Sequence, residues 1–225
     1  MLSLYLILRF NSGITTTEEI KMAIRELLKR SKIIPVLALN NPDTATDLAR
    51  ALCKGGATVL EITLRTPAAF DIMAAVKSEV PEASVGAGTV NTKEQIKRCK
   101  ELDLDFMVSP GLEPELAKAA ISSGIPYLPG VATASEVLSA IQLDLDTLKF
   151  FPAAAAGGAK MLKALNGPYG DIRFCPTGGI NSDNCQQYLE LDNVLCIGGS
   201  WVAPDGLVQS QSWDEITALA AAVNA

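Results

Sequence analysis

From Ile33 onward the chain alternates short apolar runs rich in β-branched residues with segments of helical period, and this alternation more than any other feature limits what it can fold into. The strand candidates are 33–39, 59–64, 84–87, 106–109, 127–130, 147–150, 173–176 and 194–198, eight in all. Helical spacing marks 43–54, 68–79, 92–101, 114–123, 134–142 and 158–165 between them, with 183–189 and 213–223 completing the set. Runs that are apolar at successive positions belong to strands buried on both faces, the condition of a parallel sheet covered by helices. Eight such strands, each followed by a helix and uninterrupted by a Pro/Gly-rich linker, predict a single α/β domain over 1–225, a parallel (β/α)8 TIM barrel. A doubly wound open sheet is the alternative. The first strand-to-helix turn, Leu39-Asn40-Asn41-Pro42, speaks against it because it carries no glycine-rich dinucleotide fingerprint.

Residues 1–30 read as an N-terminal extension with an extra helix. The run MLSLYLILRF is apolar but too short to span a bilayer, and it lacks the small-residue cleavage site of a signal peptide. Thr16 with Glu19 three positions later forms a capping box, and Ile20, Ala23, Ile24, Leu27 and Leu28 fall on one face of the helix that follows. Such a helix suits the bottom of a barrel.

The chain contains no histidine, so Ser-His-Asp and Cys-His triads and His-ligated zinc sites cannot be built from it. Acid-base chemistry falls to carboxylates, Lys, Tyr or Cys. The five cysteines, Cys53, Cys99, Cys175, Cys185 and Cys196, form no C-x-x-C pair and read as reduced packing residues of a cytoplasmic protein. A net charge of -6 argues against nucleic acid as a partner, and no membrane partner is expected.

The active site of such a barrel lies at the C-terminal strand ends, and there the chain turns polar or glycine-rich. Lys149 closes an apolar run, Leu148-Lys149-Phe150-Phe151-Pro152. An ammonium among phenyl rings is poorly solvated, which favours the neutral amine that attacks a carbonyl carbon; the alternative is a lysine that buries its stem and snorkels its head to water. In Glu61-Ile62-Thr63-Leu64-Arg65-Thr66 the strand period of two sends Glu61, Thr63 and Arg65 to one side. An inward glutamate is costly unless paired or functional, so Glu61 is either a working carboxylate or the partner of Arg65 in a rim ion pair. Gly86-Ala87-Gly88-Thr89 leaves room above the barrel and presents a hydroxyl to it. The glycine pairs in Cys175-Pro176-Thr177-Gly178-Gly179-Ile180 and Gly198-Gly199-Ser200 let backbone N–H groups approach an anion, at the two strand ends where these barrels hold phosphate.

Together these runs, with Ser109-Pro110-Gly111, Arg173-Phe174 and Leu195-Cys196-Ile197 beside them, closely resemble the 2-keto-3-deoxy-6-phosphogluconate (KDPG)/4-hydroxy-2-oxoglutarate (KHG) aldolase family, over 33–203. The resemblance implies a metal-independent lyase, without cofactor, that cleaves a phosphorylated 2-keto acid in Entner–Doudoroff-type carbohydrate metabolism, and it implies a homotrimer. It makes Lys149 the Schiff-base residue and Glu61 the general acid/base. Arg65 and Thr89 would hold the pyruvate carboxylate, and Thr177, Gly178, Gly179, Gly199 and Ser200 would surround the phosphate. Pro110 and Phe151 complete the substrate-binding set. Two departures stand out. Ala154 occupies a position usually acidic in the family, and Leu37-Ala38-Leu39 replaces an arginine found near the end of strand one in relatives acting on the galactonate analogue. A phosphogalactonate-type aldolase, a non-covalent phosphate-binding barrel isomerase and a catalytically silent sensor or scaffold are the alternatives. Retention of Glu61, Arg65 and Lys149 argues against the last.

Overall fold

The computed structural model describes residues 17–224. The apolar N-terminal decapeptide and the expected cap residue Thr16 lie outside them. Helix Thr17–Leu28 buries Ile20, Ala23, Ile24, Leu27 and Leu28, the face its sequence period marks out, while Met22 on the other side is 57% exposed. The helix is tied down by Lys21 to Asp144 at 2.8 Å and by Arg25 to Asp146 at 3.1 Å, both just before the strand that carries Lys149.

The strands are β1 (Ile33–Leu37), β2 (Val59–Thr63), β3 (Ser84–Gly88), β4 (Phe106–Val108), β5 (Tyr127–Leu128), β6 (Gly130–Val131), β7 (Thr147–Phe150), β8 (Arg173–Pro176) and β9 (Ile197–Gly199). Every pairing among them is parallel. Six form a curled sheet in the order β5-β4-β3-β2-β1-β9, a half-barrel, and three form a sheet in the order β6-β7-β8. The parallel α/β class is therefore as expected.

Three departures from the sequence expectation have local causes. The fifth run divides at Pro129, which has no N–H for the ladder, although its carbonyl still accepts from Lys149 N at 2.8 Å. The last strand begins at Ile197 rather than 194 because Val194 N–H turns back to Leu191 O at 2.9 Å, leaving only an isolated bridge from Val194 to Phe174. The first strand stops at Leu37, and the chain turns through a short 3-10 segment, Pro42–Thr44, before helix Ala45–Lys54. A further short helix, Asp205–Gln209, has no counterpart in the sequence expectation.

Side chains partition along each strand with a period of two, although both faces are buried. Leu60, Ile62, Met107, Tyr127, Leu148, Phe150 and Phe174 face the surrounding helices in one large cluster. Ile34, Val59, Phe106, Val108, Leu128, Cys175 and Cys196 point the other way and pack with Ile24, Leu27 and Leu28 of the N-terminal helix. Gly86 is required beside this inner cluster, since a Cβ there would overlap the Phe106 ring. The cysteines are free thiols. Burial pushes Cys99 up to about 12 and Cys53 up to about 11, which suits packing residues rather than nucleophiles.

Leu28, fully buried against the inner cluster, tests how much the N-terminal helix contributes. Leu28→Ala is expected to destabilise the protein by about 2–5 kcal/mol in urea unfolding. The exposed Met22→Ala should change stability by no more than about 0.5 kcal/mol. Equal effects would mean that the helix face is not part of the core.

Candidate active site

Above the inner apolar cluster the inward positions turn polar: Val59 is followed by Glu61 and Thr63 on β2, Thr147 by Lys149 on β7, and Cys175 by Thr177 beyond β8. Lys149 and Glu61, 88 residues apart, meet across this space. Lys149 Nζ donates to Glu61 Oε1 at 2.9 Å and to Oε2 at 3.1 Å. Both residues are almost completely buried, at 5% and 3% exposure. The pairing needs Gly88 at the end of β3, because a Cβ there would collide with the Glu61 carboxylate. The Phe151 ring covers the ammonium, with Nζ 5.5 Å from its centroid. Glu61 therefore has Lys149 as its ion-pair partner, and the rim pair with Arg65 that the sequence also allowed is overturned.

Arg65 is instead anchored through its stem side. Its Nε donates to Thr63 Oγ1 at 3.0 Å, and the Thr63 hydroxyl donates to Leu37 O at 2.8 Å. Thr63 is buried, so this relay fixes the approach of the exposed guanidinium from β1 through β2. The strand period alone brought Thr63 to the inner face; its role as a relay appears only when the Leu37 carbonyl is in place. Thr89 stands at a φ of 62°, a left-handed conformation unusual for a β-branched residue.

Opposite these groups lies a glycine-rich wall. Gly178 and Gly179 have φ values of 100° and 72°, which side chains with a Cβ rarely adopt. Their loop is laced to the segment after the lysine strand: Ala153 N donates to Thr177 O at 2.7 Å and Ala154 N to Gly178 O at 3.0 Å. The methyl of Ala154 fills the space that a Cβ on Gly179 would need. Gly198 leaves room for the Thr177 hydroxyl, and the two residues bridge β8 to β9.

All of the residues singled out from the sequence, Glu61, Arg65, Thr89, Pro110, Lys149, Phe151, Thr177, Gly178, Gly179, Gly199 and Ser200, line one cavity of about 320 Å³. Val36, Thr63, Ile180 and Gly198 complete its wall. Among the described residues there is no cluster of three or more His, Cys, Asp or Glu side chains able to hold a metal ion, and no helix long and apolar enough to cross a membrane. A buried amine–carboxylate pair in such a cavity has the components for covalent capture of a carbonyl and for moving a proton beside it.

Comparison with known proteins gives the family of the chain. The family model for KDPG and KHG aldolase matches residues 24–219. The 2-dehydro-3-deoxy-phosphogluconate aldolase of Pseudoalteromonas atlantica is 44% identical over 204 residues, covering 91% of this chain and 95% of that one. The KHG/KDPG aldolase of Escherichia coli K12 is 44% identical over 200 residues, covering 89% and 94%. A crystal structure of KDPG aldolase from Legionella pneumophila, with pyruvate captured as a covalent carbinolamine intermediate, superposes with a TM-score of 0.87 at 42% identity, covering 90% of this chain and 98% of that one.

A buried ion pair that loses one partner leaves an uncompensated charge. Glu61→Leu is therefore expected to cost about 3–5 kcal/mol in urea unfolding, and adding Lys149→Met should recover most of that loss. Additive losses in the double variant would show that the two groups do not act as a pair.

Proposed function

The chain belongs to the KDPG and KHG aldolase family, and from that premise we propose that it is a Schiff-base lyase cleaving 2-dehydro-3-deoxy-6-phosphogluconate to pyruvate and D-glyceraldehyde 3-phosphate. It also cleaves 4-hydroxy-2-oxoglutarate to pyruvate and glyoxylate on this reading. The observation that carries the proposal is the buried contact of Lys149 Nζ with both oxygens of Glu61, inside a cavity walled by paired glycines. The carbinolamine captured in the Legionella enzyme supports covalent chemistry for the family.

Lys149 passes a proton to Glu61, the free amine attacks the C2 ketone, and Glu61 returns that proton to the carbinolamine hydroxyl, which leaves as water to give an iminium. Glu61 takes the C4 hydroxyl proton directly or through water, the C3–C4 bond breaks, and its electrons enter the iminium to give an enamine. The aldehyde departs. Glu61 then returns a proton to C3, and water hydrolyses the iminium to release pyruvate and regenerate the amine. Arg65 and Thr89 hold the substrate carboxylate, to which a guanidinium donates two parallel hydrogen bonds. Pro110 and Phe151 flank the reacting carbons, and the N–H groups around Thr177, Gly178, Gly179, Gly199 and Ser200 receive the phosphate.

We further read the two sheets as one (β/α)8 barrel of a single domain, with the Thr17–Leu28 helix closing its lower end. The Thr177–Gly198 bridge and the bond from Lys149 N to Pro129 O support this closure. Assembly as a homotrimer and a cytoplasmic location belong to the same proposal; the first rests on family resemblance, and the second on the free thiols.

Lys149→Arg should keep the charge yet abolish turnover, because guanidinium stays protonated and is no nucleophile. Glu61→Gln should still be trapped with pyruvate by borohydride, while exchange of the pyruvate methyl protons with deuterated water falls by about 10²–10⁴-fold. Activity in the arginine variant, or wild-type exchange in the glutamine variant, would remove the corresponding role. The isomerase alternative requires that borohydride leave no pyruvate adduct on Lys149.

The Thr63 relay gives a separate expectation. Thr63→Val should raise KM about tenfold with kcat little changed, the loss of one hydrogen bond to a charged group, and Thr63→Ser should restore it. A matching fall in kcat, unrescued by serine, would mean that Thr63 only supports the strand.

A further inference from the structure

The active-site cavity adjoins a larger chamber of about 600 Å³, and Val36, Arg65 and Ser200 line both. A small ligand needs on the order of 300 Å³, so the six-carbon substrate is already served by the 320 Å³ cavity. The chamber is additional space, built from the turn after β1 and the short helix Asp205–Gln209. Its polar lining is Asn40, Asn41, Thr44, Asp205, Gln209 and Gln211. Amides, a hydroxyl and a carboxylate pair well with sugar hydroxyls, which both donate and accept. The same lining carries a negative charge at Asp205 and no cation apart from the shared Arg65, so it disfavours an anionic group. Ser200 lines both cavities and belongs to the set assigned above to the phosphate, so a longer acceptor would reach the chamber past it.

Resting on the aldolase reading above, we propose that this chamber is a subsite for the neutral, polyhydroxylated tail of an aldehyde longer than three carbons. The reaction is the aldol addition. C3 of the pyruvate enamine on Lys149 attacks the aldehyde carbon, and a new C–C bond forms. The carbonyl electrons move to the aldehyde oxygen, which takes the proton held by Glu61. Water then hydrolyses the iminium and releases a 2-keto-3-deoxy acid three carbons longer than the aldehyde. No oxidant or metal enters the balance.

The test is aldol addition of pyruvate to D-glyceraldehyde, D-erythrose, D-erythrose 4-phosphate and D-glyceraldehyde 3-phosphate, in wild type and two variants. Wild type is expected to show a higher kcat/KM with D-erythrose than with D-glyceraldehyde. Ala38→Trp, at an exposed position that lines the chamber but not the active-site cavity, should cut kcat/KM for D-erythrose about tenfold and leave D-glyceraldehyde 3-phosphate unchanged. Asp205→Lys should shift preference from D-erythrose toward its 4-phosphate. The subsite is overturned if wild type does not favour the longer neutral aldehyde, if Ala38→Trp affects both acceptors alike or neither, or if Asp205→Lys leaves the preference where it was. Absence of product from D-glyceraldehyde 3-phosphate, together with no borohydride adduct on wild-type Lys149, would overturn the aldolase reading and the subsite with it.

Discussion

A buried ammonium and a buried carboxylate are each expensive to remove from water, and the contact of Lys149 with both oxygens of Glu61 is the interaction around which this site is arranged. Neither group is tolerable there without the other. Their separation in sequence means that β2 and β7 must be held at a fixed distance across the interior before the pair can form. The inner apolar cluster beneath them does this, with Phe106 filling the space that Gly86 leaves and the N-terminal helix packed below. The pair adds little to net stability compared with an apolar substitute of the same volume. On the proposed reading its presence is intelligible as chemistry: an amine that has to lose a proton touches a carboxylate that can carry one.

The glycines around the site act by omission. Gly88 makes room for the Glu61 carboxylate, Gly198 for the Thr177 hydroxyl, and Gly130 for the Pro110 carbonyl. Gly178 and Gly179 add backbone freedom to this, since their positive φ turns the loop toward the cavity. The result is a wall of backbone facing a buried ion pair. On the reading proposed above, a polar substrate anchored at one side by Arg65 and at the other by backbone N–H groups would lie with its reacting carbons near Lys149. Proximity of this kind lowers the barrier by restricting motion before the reaction begins.

Ala154 and the Leu37-Ala38-Leu39 segment show how the chain's departures from its family fit the same site. Ala154 is the residue whose methyl abuts Gly179, so a small group stands where the family resemblance led to the expectation of an acid, and the glycine loop keeps its bond from Ala154 N. At β1 the Leu37 carbonyl receives the Thr63 hydroxyl, and through it the segment steadies Arg65 rather than contributing a cation of its own. On the proposed reading, recognition of the carboxylate would thereby be concentrated on one guanidinium with a fixed stem.

The sequence by itself determined the alternation of strand and helix, the parallel class, and which residues stand at the strand ends, because periods of two and 3.6 are local properties of the backbone. Glu61, Thr63 and Arg65 were legible as one inward row for that reason, and the N-terminal helix face from Ile20 to Leu28 for the same one. Strand ends were less legible. The break at Pro129 and the late start of β9 depend on which carbonyl a distant or returning N–H finds. The partner of Glu61 was left open between Arg65, four residues away, and a working role. Tertiary structure decided for Lys149, since the arrangement of strands around the interior brings β7 opposite β2 and leaves Arg65 on the rim, where Thr63 holds it. The chamber beside the site was invisible in the sequence for the same physical reason: its walls are a turn and a short helix about 165 residues apart, and only the pairing of β9 with β1 sets them face to face.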